Sequence, residues 1–479
     1  MDASFPDRLV NLEAEAVILS MLLMDNRRLE VVGDIITADD FAIPMYGRIY
    51  AKVAAMIGAG ESATPVTLYP HFVGDPELEP HGGVMMLAQL TGSMTSLIMR
   101  PRAAALHLKE MSRRRSLWLA GQRLSEMAAD DHDRPIASLI DEAEGAMNVA
   151  LEGTVSRPAL GFASAWDHAI RKVRAVGAGT EERGARVAEL VEWNEITGGM
   201  LPGQLILLGG RPGMGKTAVA LAVARRTAEA GHGVLFISRE MPVDQLMMRI
   251  VADMLFEAGS AATFDDVLNG RLSPRDYEVA EAIRKRIDDW PLAFEEPDQL
   301  NASRVASLVR KHQRQMAAKG HKLAVAVVDY LGLLDPPQRR SNREQEMGDT
   351  SREMKAAARS TGVAILALAQ LNRGVEQRDD KRPLLSDLRD SGSLEQDADT
   401  VVFAYRAEYY LRQAEPDVSD IKKRDAWEVE MGAERDRLDI YSAKVRQGEP
   451  QRRKVYFFGS RQAVRAADYY RSGGGWGPQ

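Results

Sequence analysis

Between Leu207 and Arg226 the chain reads LLGGRPGMGKTAVALAVARR. An apolar run enters two glycines, passes through Gly210-Arg211-Pro212-Gly213-Met214-Gly215-Lys216-Thr217, and leaves as an Ala/Val-rich helical segment. This is the complete G-x-x-x-x-G-K-[ST] pattern in a strand–loop–helix setting. Glycines let successive N–H groups turn inward around phosphate oxygens, and the helix N-terminus adds its partial positive charge. In such a loop Lys216 bridges phosphate oxygens and Thr217 offers its hydroxyl to Mg2+. The loop by itself leaves the reaction open.

What surrounds it narrows the fold. After Val187, β-rich apolar runs alternate with helical ones, and the pattern predicts strands over Leu205–Leu208, Val234–Ser238, Leu323–Asp329, Val363–Ala369 and Thr400–Tyr405. Such alternation predicts a parallel sheet covered by helices on both faces. LDIYSAKVRQGEPQRRKVYFFG, near the C-terminus, predicts an antiparallel hairpin about a Gln-Gly-Glu-Pro turn.

Ligands in open α/β sheets sit at the C-terminal ends of the strands, so the residues there are the candidates for chemistry. LAVAVVDYL ends in Asp329, a carboxylate placed to reach the magnesium. VLFIS leads into Ser-Arg-Glu, which brings Glu240 to the same crevice as a base for polarising a water. VAILALAQ delivers Gln370, a neutral donor that can sense the γ-phosphate. A Glu and a Gln in these places point to hydrolysis coupled to motion.

The rest of the chain is helical in pattern. Asn11 is expected to cap a helix with Leu12, Ala16, Leu19 and Leu23 on one face, and MYGRIYAKVAAMI at 45–57 is similarly amphipathic. From 101 to about 151 the pattern predicts an exposed hairpin of charged helices, with Arg113, Arg114 and Arg115 on a solvated face. A lone helix, SAWDHAIRKVRAV, then stands between two turn-rich breaks, as a docking linker would. The expected division is a helical domain at 1–152, a linker at 153–184 and an ATPase domain at 185–479.

Composition excludes other classes. There is no cysteine among the 479 residues, so thiolate metal sites and cysteine nucleophiles are ruled out. No apolar run reaches membrane-spanning length, and MDASFPDRLV carries acids where a secretory leader has bases, so the expected location is the cytosol. A formal charge of −7 argues against a surface that coats nucleic acid everywhere, while allowing a local basic channel.

Taken in order, NLEAEAVILSMLL, RPGMGKTA, FISREMPVDQLMMR, VVDYLGLL, ALAQLNRGVEQRDDKRPLLSDLRDSGSLEQDAD and AKVRQG resemble the successive signatures of the DnaB family of replicative DNA helicases. The resemblance implies an α/β RecA-like P-loop ATPase domain with a parallel sheet, preceded by an all-α N-terminal domain and a linker helix. It implies a homohexameric ring with ATP and Mg2+ at each interface, moving 5′ to 3′ on single-stranded DNA in the bacterial cytosol and meeting a primase and a helicase loader.

For individual residues the resemblance implies nucleotide contacts at Gly210 through Ala218 and at Arg249. It also implies a lysine sensor at Lys444 and an arginine finger at Arg446 that reach a neighbour's γ-phosphate. A DNA grip is implied at Arg389, Asp390 and Gly392. Three departures from the family pattern stand out: Asp390 for the more usual Glu, Gly332 where Gln is common, and RQGEP after the finger. Two other readings share these motifs. One is a RecA-type recombinase, which the long helical N-terminal region speaks against. The other is an ATP-dependent DNA-binding scaffold without unwinding activity, which the presence of Glu240 and Arg446 speaks against.

Overall fold

The computed structural model describes residues 5–33, 35–76, 78, 85–91, 100–130, 139, 161–179, 183–336, 343–417 and 419–470. The chain divides into two compact units, Met1–Ala169 and Ile170–Gln479, each described by itself.

The first unit is helical. Helix α1 (Leu12–Met24) begins at Asn11, whose side chain accepts from the Ala14 N–H. It does not present the single apolar face expected. Residues from Ala14 to Leu23 are buried almost all round, whereas Leu12 is 53% exposed, because neighbours enclose the helix on several sides. Among these neighbours are α2 (Pro44–Gly58), which supplies Ile49, Tyr50 and Val53, and α3 (Pro101–Asp130), which supplies Ala104, Ala105 and Leu108.

Helix α3 is one 30-residue helix; the segment expected to return and complete a hairpin lies outside the described residues apart from residue 139. Arg113 and Arg114 are solvated as expected, but Arg115 is buried. It donates to the Leu9 carbonyl (3.0 Å) and lies 3.9 Å from the Glu15 carboxylate. A residue-type run cannot show that one of three arginines points inward.

Helix α4 (Phe162–Gly177) buries none of its residues, and Phe162, Trp166 and Val173 are exposed along it. Turn-rich sequence before it lies outside the described residues.

The second unit is built on a nine-stranded sheet in the order β3-β2-β4-β5-β1-β6-β7-β8-β9. The strands are β1 (Leu205–Gly210), β2 (Gly233–Ser238), β3 (Leu292–Glu295), β4 (Leu323–Asp329), β5 (Ala364–Gln370), β6 (Thr400–Tyr405), β7 (Arg437–Val445), β8 (Arg452–Phe458) and β9 (Ala463–Arg465). From β3 to β6 all pairings are parallel; β6 to β9 pair antiparallel. The predicted hairpin is β7–β8, with Arg437 opposite Tyr456 and Tyr441 opposite Arg452.

Two short strands go beyond the sequence pattern: β3, four half-buried residues at one edge, and β9, three residues at the other. β5 runs one residue later than expected, which makes Gln370 its last residue.

Alternation along β1 sends Ile206 and Leu208 to one apolar layer and Leu205 and Leu207 to the other. The first layer includes helix α5 (Lys216–Glu229) through Val219 and Val223, and α6 (Val243–Glu257) through Leu246 and Ile250. The second includes α7 (Ala302–Ala317) through Val305 and Val309, and α8 (Arg343–Thr361) through Met354 and Ala358. Both faces are therefore dry, as a parallel sheet requires. Among the described residues no helix is long and apolar enough to cross a membrane.

Candidate nucleotide and nucleic-acid site

Sheet register assembles the catalytic candidates. Gly210 pairs beside Gln370, and Ser238 beside Asp329, so β1 ends with β5 and β2 with β4; Val328 opposite Ala367 sets the second pair two residues short of the first on the same edge. The loop after β1 turns through Gly213 (φ 81°) and Gly215 (φ 85°), a left-handed conformation that side chains disfavour. Gly215 is the N-cap of α5 and no side chain caps that terminus, so its N–H groups and dipole are directed at whatever the loop holds. Space is tight as well: a Cβ on Gly213 would stand 2.7 Å from the Tyr409 ring.

Within the loop, the Lys216 ammonium donates to the carbonyls of Gly210 (2.6 Å) and Arg211 (3.3 Å). The Thr217 hydroxyl donates to the Asp329 carboxylate at 3.2 Å. Burial, reinforced by the nearby charge of Glu240, pushes the Asp329 carboxyl up to about 6. Burial also brings Lys216 down to about 8, against the opposing pull of Asp329 and Glu240. Arg249 is lowered by burial too, again opposed by Asp329 and Glu240. These mutual influences mark Lys216, Thr217, Glu240, Arg249 and Asp329 as one electrostatic cluster.

The turn bearing Glu240 is fixed locally. Ser238 Oγ donates to the Met241 carbonyl (2.6 Å), and the Arg239 N–H donates to the Asp329 carbonyl (2.8 Å). Arg249 bonds to Gln462 and lies over the Phe264 ring at 5.1 Å.

Arg211 behaves differently from its loop neighbours. Its guanidinium donates to Glu376 (2.6 and 2.9 Å) and to the Leu371 carbonyl (2.9 Å), tying the loop to the segment that follows Gln370. Gln370 itself lines a cavity of about 470 Å³ with Arg211, Tyr330, Asn372 and Asp387. Gly332 lines it too, and a Cβ there would meet the Tyr330 ring at 2.7 Å.

Lys444 and Arg446 are set back from the loop edge of the sheet. Lys444 pairs with Val401, next to Thr400, which is itself opposite Ile206, and the Arg446 N–H donates to the Asp399 carbonyl (2.9 Å). Arg446 is thus level with Leu205 at the start of β1, five residues or about 17 Å from the level of Gly210, and Lys444 is level with Leu207, three residues or about 10 Å from it. The ammonium and guanidinium donate to the Glu395 carbonyl (2.5 Å) and the Gln396 carbonyl (2.6 Å), at the close of the short helix α9 (Gly392–Asp397).

Arg389 and Asp390 stand in the 3-10 segment Leu385–Ser391, and Gly392 opens α9; the side chains of 389–393 lie outside what the structure describes.

Sequence reasoning missed the group that braces the loop from β6. Arg406 donates to the Gly213 carbonyl (3.3 Å), receives support from Glu408 (2.8 Å) and lies 4.8 Å over the Phe457 ring. Its position one residue past the end of a central strand was the available signal.

Residues 187–465 match the family model described as the DnaB-like helicase C terminal domain, and residues 7–106 match the DnaB-like helicase N terminal domain. The replicative DNA helicase DnaB of Rickettsia bellii is 29% identical over 454 residues, covering 91% of this chain and 89% of that one. The helicase of the same name from Geobacillus stearothermophilus is 28% identical over 413 residues, covering 85% and 87%.

Among solved structures, a DnaB-like replicative helicase described with its interactions with primase aligns over 95% of this chain and 100% of its own, with a TM-score of 0.60 at 22% identity. That likeness concerns the fold. A second solved structure, an ATPase domain on its own, aligns over 63% of this chain and 98% of its own length, with a TM-score of 0.53 at 26% identity.

Proposed function

The chain belongs to the DnaB-like helicase family, ATP-dependent DNA helicases, and we propose that it works as a homohexameric ring that hydrolyses Mg·ATP to move 5′ to 3′ along single-stranded DNA. The observation that carries this reading is the placement of Arg446 at the opposite end of β1 from its own phosphate loop, with Lys444 two residues nearer and turned to the same Gln396 carbonyl. Cations so placed serve a phosphate only on another subunit, and a closed ring gives every subunit such a neighbour.

The oxygen donors fit Mg2+: the Thr217 hydroxyl and the Asp329 carboxylate are hard ligands within 3.2 Å of each other, and burial holds Asp329 in want of a cation. When bound, the ion neutralises charge on the phosphate oxygens. Backbone N–H groups between Gly210 and Ala218, Pro212 excepted because it has none, hold the phosphates, and Lys216 exchanges its carbonyl partners for phosphate oxygens. Pro212 and Met214 shape the turn, and Arg211 acts through its backbone while its side chain holds Glu376. Glu240 orients and deprotonates the attacking water. Arg249 contacts the nucleotide from the side of Asp329 and Glu240, and the Arg406–Phe457 pair braces the loop beside it. Gln370 senses the γ-phosphate, and the strut from Arg211 to Glu376 and Leu371 carries its loss toward the segment bearing Arg389, Asp390 and Gly392, which grips DNA phosphates.

In this reading, residues 1–152 form the collar that meets a primase and a loader, residues 153–184 form the linker, and 185–479 form the motor, all in the bacterial cytosol. Exposed Phe162, Trp166 and Val173 support α4 as a helix that docks on a neighbouring subunit. The test is ATP turnover with and without single-stranded DNA, alongside the particle mass in nucleotide. A six-subunit mass, DNA-stimulated turnover and its loss in Glu240→Gln are expected. Open filaments would favour a recombinase, and turnover indifferent to DNA would favour a scaffold.

A further inference from the structure

Asp399 closes the stretch DLRDSGSLEQDAD and has no task in the mechanism above. It is 7% exposed, and its two carboxylate oxygens are divided between different partners. Oδ2 accepts from the Leu205 N–H (2.8 Å) and from the Lys355 ammonium (2.5 Å), and Lys355 also donates to the Gly203 carbonyl (2.9 Å). Oδ1 faces the Arg446 guanidinium at 3.4 Å, while the Asp399 carbonyl accepts from the Arg446 N–H at 2.9 Å. The opposite edge of that guanidinium donates to the Gln396 carbonyl.

Arg446 is otherwise half exposed, on a chain turn beyond the end of β7. A long side chain in that setting wanders among rotamers unless it is held, and a cation that stabilises a transition state must already be in place when charge develops. Asp399 is anchored to the start of β1 and to α8, two rigid elements of the core, so it is a fixed point from which to aim the guanidinium.

We propose that Asp399 is the positioning residue for Arg446. Its carboxylate and the end of α9 hold the guanidinium on two sides, so the finger and the segment carrying Arg389 share one anchor. The proposal rests on the reading of Arg446 as an arginine finger.

The experiment is a double-mutant cycle on the full-length hexamer, measuring kcat and KM for ATP at saturating single-stranded DNA in wild type, Asp399→Asn, Arg446→Ala and the double variant. Misplacing a reacting group by about 1 Å costs up to roughly 10²-fold. Asp399→Asn is therefore expected to lower kcat by about 10- to 100-fold with KM within about threefold. In the Arg446→Ala background the same change should do nothing further. Multiplicative losses in the double variant would overturn the proposal while leaving the finger intact. If Arg446→Ala keeps wild-type kcat, the finger reading itself fails, and the proposal with it. Should Asp399→Asn fail to assemble, Asp399→Glu retains the charge beside Lys355 but shifts the carboxylate by one methylene, and the same cycle decides.

Discussion

At Asp329 the protein keeps a buried carboxylate close to Glu240, and at Lys216 a buried ammonium whose partners are mainly carbonyls. Both groups are held in the form that burial disfavours. A carboxyl raised to about 6 binds protons more readily folded than unfolded, so its contribution to stability is full at low pH and disappears as pH rises through about 6. At neutral pH the ionised Asp329 is therefore a cost to the nucleotide-free protein, which a bound cation would relieve on the proposed reading.

Two outcomes follow from that. Removing the charge with Asp329→Asn should abolish ATP hydrolysis yet raise the melting temperature of the nucleotide-free protein, at about 2–4 °C per kcal/mol relieved. In calorimetry an unchanged or lower Tm would contradict the account. Binding of Mg·ATP analogue should weaken between pH 7 and pH 5 as Asp329 takes up its proton, read by fluorescence titration, and a flat profile would place the cation elsewhere.

Gly210–Thr217, Asp329, Glu240 and Gln370 were legible in the sequence because each abuts the end of an apolar strand. Arg406 carries the same signal, directly after the apolar β6, but was passed over, and Phe457 was not legible, since it meets the loop only through sheet pairing far along the chain. The Arg211–Glu376 tie was invisible for the same reason.

Elements depend on charges that the residue pattern hides. Arg225, on the inner face of α5, is almost wholly buried and pairs with Asp253 (3.0 Å) and Glu257 (2.8 Å) of α6, and Arg465 at the end of β9 also meets Asp253 (2.5 Å). Asp253→Ala would leave two buried guanidiniums short of a partner, and such losses cost about 3–5 kcal/mol. Denaturant unfolding of the variant should show that deficit; a loss below about 1 kcal/mol would mean that Glu257 alone suffices.

For α4 the expected effect is on assembly. Trp166→Glu should leave protomer secondary structure and nucleotide binding intact while shifting particle mass below that of the ring, and retention of the ring would refute the docking role. Central strands are plain in the sequence because long apolar runs are hard to mistake. β3 and β9 escape notice because such short edge strands carry too little pattern. The buried face of α1 is misleading for the opposite reason: apolar residues surround nearly the whole helix, and its enclosure by neighbours leaves Leu12 outside.

At the scale of the whole molecule, an acidic protein of charge −7 must hold a polyanion through local contacts. Binding to single-stranded DNA should accordingly fall steeply with salt, with a slope of about 0.7 per phosphate neutralised. On the proposed reading, each chain carries its phosphate loop at one end of β1 and the cation offered to a neighbour, Arg446, at the other.

That arrangement is tested most directly by strand displacement on a forked duplex with a free 5′ arm, in the presence of ATP. Wild type should displace the strand, and Glu240→Ala and Arg446→Ala should not, although each still binds nucleotide and assembles. Displacement that survives Arg446→Ala, or a fully assembled ring that hydrolyses ATP on DNA without separating the strands, would contradict the account.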